Sequence, residues 1–319
     1  DFEMYVMLGA WIDCKNAWTE LTPDHHQESE QNEGEINRAI ALAKQFPTIV
    51  KVIAVGNEAM VKWAESYYVQ PAVILKWVLH LQKLKAQNEL QKELLITSSD
   101  DFSSWGGGDP MYHVPELEQL IEAVDFVSMH TYPMHNTHYN PFFWGITEEE
   151  KKFPKEKILS LAMNRATNFA TDQYEQVKAY VQGIAPGKPV HIGETGWATT
   201  SDGFYGPGGA RACDEYKEKL YYESMRKWSN EKGVSCFYFE AFDEPWKDAA
   251  NPVGSENHFG LITVDGKAKY ALWEKVDQGI FEGLTRDGRP ISKSHEGNEK
   301  LVLKDAMLPP MNHQLKSTH

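Results

Sequence analysis

Short apolar runs alternate along the chain with longer stretches in which apolar residues recur every three or four positions. The runs are Met4–Ile12, Ile49–Val55, Leu94–Ser98, Val124–Tyr132, Pro189–Ile192 and Val234–Phe242. Several are apolar throughout rather than alternating, which is the pattern of parallel strands buried on both faces. Between them, Glu33–Gln45, Gln70–Asn88, Pro115–Ala123, Met163–Gly183 and Asp214–Lys232 have helical periodicity. Pro47 stops the first of these and Pro71 sits at the start of the second. Gly183 with Pro186 closes the fourth, and Gly233 ends the fifth. Repeated strand–helix alternation predicts a parallel sheet. With 319 residues available, a closed TIM (β/α)8-type barrel is favoured over an open doubly wound sheet. Residues 1–283 are expected to form the barrel. From about Leu284 the pattern turns polar, so 284–319 reads as a strap or a disordered tail. The charged run Thr147–Lys152 reads as a solvated helix start, and the glycines of SSWGGGDP and YGPGG as mobile loops.

Composition narrows the function. Lys+Arg number 32 and Asp+Glu 46, a net charge of −14. Such a chain repels phosphate backbones, so no nucleic-acid partner is expected. Ten Trp, 14 Tyr and 14 Phe exceed what a core needs and suit a surface on which flat ligand faces stack. No apolar run is long enough to span a bilayer. Cys14, Cys213 and Cys236 give no disulfide framework and no Cys-x-x-Cys, and no metal or cofactor is expected. No glycine-rich phosphate loop follows any strand, which counts against nucleotide cofactors. The opening residues have neither an initiator Met nor a signal-peptide pattern, so the chain reads as a mature or truncated product. A monomer is the default.

In a parallel barrel, catalytic groups sit at the C-terminal ends of strands. The second run ends KVIAVGNEAM, which places Asn57 and Glu58 at the mouth. The fifth ends PVHIGETGW, which places Glu194 there with Trp197 just beyond. The first run offers Trp11 and Asp13, the fourth His130 and Tyr132, and the sixth Glu240, Asp243, Glu244 and Trp246. Glu58 and Glu194 each follow buried apolar residues with no Lys or Arg beside them. A carboxylate there costs several kcal/mol unless hydrogen-bonded. Two such groups at one barrel end fit glycoside hydrolysis, where one donates a proton and the other attacks or activates water. Asn57 suits a sugar hydroxyl. Trp11, Trp105, Trp197 and Trp246 suit the apolar faces of pyranose rings. His130, His135 and His138 match no zinc motif and read as a solvent-exposed or sugar-binding set on a flexible loop.

The pair VGNE and GETGW, in this order and at strand ends, resembles the clan of retaining (β/α)8-barrel glycosidases. With FEAFDEPWK and HFGLITVDGKAKYALW, the chain looks like glycoside hydrolase family 17, the β-1,3-glucanases and glucanosyltransferases. The resemblance implies that Glu58 is the general acid/base and Glu194 the nucleophile. It implies that Asn57 binds the sugar 2-OH and that Tyr132 orients the nucleophile. Glu240 and Glu244 match acidic residues near the cleft. The implied partner is a β-glucan polysaccharide or oligosaccharide, met at an extracellular, periplasmic or cell-surface location. In that family the acid/base follows strand four. Here it follows the second recognisable run, so the barrel reads as lacking its first two strands. Two other readings use the same residues or the same shape, a β-1,3-glucanosyltransferase and a non-catalytic glucan-binding barrel.

Overall fold

The computed structural model describes residues 4–315. Six strands share one sheet in the order β1-β4-β5-β6-β7-β8: Val6–Ala10, Val50–Asn57, Leu95–Asp101, Val127–His130, Val190–Gly196 and Cys236–Phe239. Every neighbouring pair from β1 to β7 runs parallel. All six predicted apolar runs are therefore strands. The helices between them are α1 Asn32–Gln45, α2 Pro71–Ala86, α3 Pro115–Ala123, α4 Pro133–Tyr139, α5 Lys155–Ile184 and α6 Glu215–Lys232. The architecture is an α/β parallel sheet with crossover helices.

The chain divides into two compact units. Asp1–Thr131 with Asp172–Glu194 forms the first, and Tyr132–Thr171 with Thr195–His319 the second. In the first unit, α1 buries Ile36, Ala39 and Ala43, and α2 buries Ile74, Trp77, Val78 and Leu81. Ile53, Val55, Ile96 and Val127 complete this core. Each such aliphatic side chain contributes roughly 1.5–3 kcal/mol. Pro71 and Pro115 start α2 and α3, where a missing N–H costs nothing. Gly106 and Gly107 are held by close packing: a Cβ would meet the Tyr180 ring at 2.3 Å and Val177 at 2.5 Å. Tight contact with α5, not loop mobility, is why glycine stands there.

In the second unit, Asp214 caps α6 by accepting from the Lys217 N–H at 3.0 Å, and Gly233 ends it in the left-handed region. Helix α5 begins eight residues earlier than the periodicity predicts, because Ile158, Leu159 and Ala162 extend its buried face. The 147–152 run is a single 3-10 turn rather than a helix start, with Glu150 paired to Arg165 at 2.6 Å.

Short pairings had no periodic signal. A hairpin joins β2 Cys14–Lys15 to β3 Asp24–Glu28 in the first unit. In the second, β9 Lys267–Ala268 is followed by α7 Trp273–Asp277. A small hairpin then pairs β10 Thr285–Arg286 with β11 Arg289–Pro290, and β12 Ser292–Lys293 runs parallel to β9. Helix α8, Glu299–Asp305, closes the series. The polar C-terminal stretch packs within the second unit as far as it is described, to residue 315. Met307 donates its N–H to Asp214 at 3.0 Å, and Met311 bridges to Ile146. Residues 316–319 of the expected tail lie outside the described residues, as do residues 1–3. The three cysteines are unpaired.

Candidate active site

Strands β4, β6 and β7 deliver three titratable side chains to one point in the first unit. Oxygen atoms of Glu58 and Glu194 and a ring nitrogen of His130 all lie within 4.8 Å of one another. His130 and Glu194 are register partners across β6 and β7. Register shifts fall between Ala54 and Asn57 on β4 and between Met129 and His130 on β6. Such irregularities re-aim side chains, and here both fall where the chain reaches the cluster.

Glycines account for the local backbone. Gly56 sits at φ +80 and Glu58 at φ 46, so the chain turns sharply at the end of β4. The Glu58 N–H donates to the Ser99 carbonyl at 2.9 Å, which fixes that turn against β5. A Cβ on Gly193 would lie 2.0 Å from Ser128 Oγ and 2.4 Å from Ser99 Oγ. Only glycine lets β7 approach these two serines one residue before Glu194.

The serines are part of a chain of hydrogen bonds. Glu58 Oε1 faces His130 Nδ1 at 3.0 Å, His130 Nε2 faces Ser99 Oγ at 2.7 Å, and Ser99 Oγ meets Ser128 Oγ at 2.9 Å. His130 is 1 % exposed. Burial pulls its imidazole down. The charge of Glu194 and the hydrogen bond and charge of Glu58 outweigh it and push His130 up to about 9. The shift favours the imidazolium form, set between two carboxyl groups. The exposed, flexible-loop setting expected for His130 is incorrect. It ends a buried strand, and the residues after it form α4 rather than a loop.

Two more carboxyls stand behind the cluster on β5. Asp100 is fully buried and accepts from the Met60 and Asp101 N–H groups at 2.7 and 2.8 Å. Burial pushes it up to about 7. Asp101, which accepts from the Ser103 N–H at 2.8 Å, is pushed by burial up to about 6. Neither was singled out from sequence.

Asn57 is the last residue of β4 and pairs with Ser99. Trp11, beyond β1, is 43 % exposed. Tyr132, Trp197, Glu240, Glu244 and Trp246 belong to the second unit. Tyr132 packs edge-on against Phe239 and Phe259. Trp246 is exposed. Lys247 lies 3.6 Å from Glu240 and 3.2 Å from Glu244. Burial raises Glu240 to about 8, with Lys247 opposing and Glu244 reinforcing. Trp197 offers no stacking face, correcting its assignment to sugar binding. It is fully buried between Trp144 and Tyr221, with Nε1 donating to Ala212 O at 2.9 Å. Trp105 is likewise fully buried, donating to Ser128 O.

Chemically, the Glu58, His130 and Glu194 cluster offers two carboxyl groups, one oxygen of each lying within 4.8 Å of the other. The same atoms form a possible cation set. However, both His130 nitrogens already face protein partners, Glu58 and Ser99.

Several known proteins are similar to this chain. The chain is 61% identical to an endo-laminarinase from Formosa Hel1_33_131 whose crystal structure superposes with a TM-score of 0.97, covering 100% of this chain and 81% of that one. It is 45% identical over 105 residues to a glucan 1,3-beta-glucosidase of Arthroderma benhamiae, a match spanning 30% of this chain and 31% of that protein. The chain spans 31% and 57% of the length of the first two curated relatives it matches. A β-1,3-glucanosyltransferase of Rhizomucor miehei shares the fold at TM-score 0.53 and 20% identity, covering 84% of this chain and 75% of that one. A family model described as BtgE/BtgC glycoside hydrolase domain matches residues 2–260, a span that includes β1 to β8 and both glutamates. With that match over most of its length, the chain belongs to the BtgE/BtgC glycoside hydrolase domain family.

Proposed function

We propose that this chain hydrolyses β-1,3-glucan by a retaining double displacement on a family 17 glycoside hydrolase barrel of the (β/α)8 type. The observation that carries the reading is the separation of the two carboxyl groups, with oxygens within 4.8 Å of each other. Retaining enzymes hold their carboxyls about 5–5.5 Å apart, and inverting ones about 6.5–9.5 Å. The 61% identity to an endo-laminarinase supports the substrate and an internal point of cleavage.

In this reading Glu194 attacks the anomeric carbon while Glu58 gives its proton to the departing oxygen. A glucosyl ester on Glu194 forms, and Glu58, now ionised, takes a proton from water, which opens the ester. His130 serves both steps as a positioning residue. Its Nδ1 faces Glu58 Oε1 at 3.0 Å, which fixes the direction in which that carboxyl group points. Asn57 is assigned to the sugar 2-OH and Tyr132 to orienting the nucleophile. Glu240, Glu244, Trp11 and Trp246 are assigned to sugar contacts. An extracellular, periplasmic or cell-surface site of action follows from a polymeric substrate.

The test is sugar release from linear laminarin. Glu194→Ala is expected to abolish turnover while leaving the fold intact, with azide restoring it as a glucosyl azide. Glu58→Ala is expected to lose most activity on natural glucan and least on substrates with activated leaving groups. Near-normal turnover by Glu194→Ala would refute the nucleophile assignment. Products longer than the substrate would make the enzyme a transferase.

A further inference from the structure

Outside the carboxylate cluster, the first unit carries three aromatic rings that are held in place, two exposed and one half-buried. Trp11 follows β1 and is 43 % exposed; Trp18 lies in the β2–β3 hairpin and is 63 % exposed. Large exposed rings normally cost conformational freedom to hold still. Both indoles are nevertheless fixed by one carboxylate oxygen. Asp13 Oδ1 accepts from Trp11 Nε1 at 2.8 Å and from Trp18 Nε1 at 3.3 Å. Asp13 is itself clamped by the buried Asn32: its N–H donates to Asn32 Oδ1 at 3.0 Å and its carbonyl accepts from Asn32 Nδ2 at 2.9 Å.

Tyr67 completes the group. Its ring stacks on Trp18 at 4.9 Å and 22°, and lies 6.2 Å from Trp11. One face of Trp18 is therefore covered while the side chain remains mostly exposed. Trp18 adopts φ 60, a left-handed conformation that is costly for a bulky residue and collects at functional sites. Burial, and after it the negative charge of Glu58, push the Tyr67 hydroxyl up.

We propose that Trp18, with Trp11 and Tyr67, forms a stacking subsite for a glucosyl ring of the polymer, and that Asp13 is the positioning residue that holds both indoles. A β-linked glucopyranose has equatorial hydroxyls and two flat C–H faces. An anchored indole with an open face matches that surface without an ordering cost at binding. The subsite rests on the glucan reading of the carboxylate pair and extends it. It assigns Trp18, Tyr67 and Asp13 to binding of the polymer.

The experiment is calorimetric titration of laminarihexaose into Glu194→Gln protein, with further substitutions in that background. Trp18→Ala should weaken binding about tenfold, equivalent to about 1.4 kcal/mol, and Trp18→Phe should restore most of it. Asp13→Ala should weaken binding, and Asp13→Asn, which keeps an acceptor, should stay within about twofold of the parent. Trp18→Ala should also remove most of the change in tryptophan fluorescence on titration, a readout that a purely structural role would not move. Unchanged affinity in Trp18→Ala, with circular dichroism and Tm matching the parent, overturns the subsite alone. Absence of hexaose binding by the parent, together with no sugar release from laminarin by the unsubstituted protein, overturns the glucan reading and the subsite with it.

Discussion

Burial alone would keep His130 neutral, but two carboxyl groups face it and reverse the outcome. The consequence for stability has a definite sign. A histidine raised from 6.5 to about 9 contributes stabilisation that is fully present below pH 6.5 and is lost as pH rises towards 9. Urea unfolding of the native chain should therefore show stability falling between pH 6.5 and 9, and His130→Gln should flatten that part of the curve. The same substitution should move the alkaline limb of the kcat/KM profile, whereas an unmoved limb would mean that His130 does not act on the reacting groups. That Glu58 and Glu194 come together at one point could be anticipated because each stands at the end of an apolar run with no basic neighbour in sequence. His130 stood at an equivalent position in VSMHTYP, but its burial depends on Ser99 from β5 and Glu58 from β4, which no local pattern encodes. Trp197 shows the opposite error. A Trp just past a strand end reads equally as platform or core, and only its packing between Trp144 and Tyr221 decides.

The strands carry their own requirement for close approach. On β7, Gly193→Ala would drive a methyl into Ser128 Oγ and Ser99 Oγ. A cost of roughly 1–3 kcal/mol is expected, with loss of activity beyond that explained by stability, since Ser99 also holds His130. Adding Ser128→Gly should recover part of the Tm. A Gly193→Ala protein with wild-type activity would mean that the serines do not set the cluster's geometry. On β4, Gly56→Ala meets both a positive φ and Ala59 Cβ at 2.8 Å, and should be at least as damaging. At this scale the sequence was most readable. Six apolar runs and five periodic stretches correspond to β1, β4 to β8 and the five helices α1, α2, α3, α5 and α6. The two-residue pairings β9 to β12 and the order of the last segment were not readable, because so short a strand has no period to detect.

Across the whole chain, stability also carries a cost with no part in the proposed chemistry. Glu218 on α6 is fully buried, and neither of its carboxyl oxygens has a hydrogen-bond partner. Burial raises it well above the usual 4.5. An acid raised on folding loses stability as pH rises above its unfolded value, by at most about 1.4 kcal/mol per pH unit. Glu218→Gln should remove that slope from pH 4.5 upward and raise the Tm at pH 8 more than at pH 5. An unchanged pH dependence would mean that Glu218 is not the group responsible. The account as a whole turns on whether Glu58 and Glu194 act as a retaining pair. Proton NMR of the first minutes of laminarin hydrolysis reads this directly. Reducing ends appearing first as the β-anomer, with the α-anomer growing in only by mutarotation, are the predicted result, and α-anomer appearing first would contradict it.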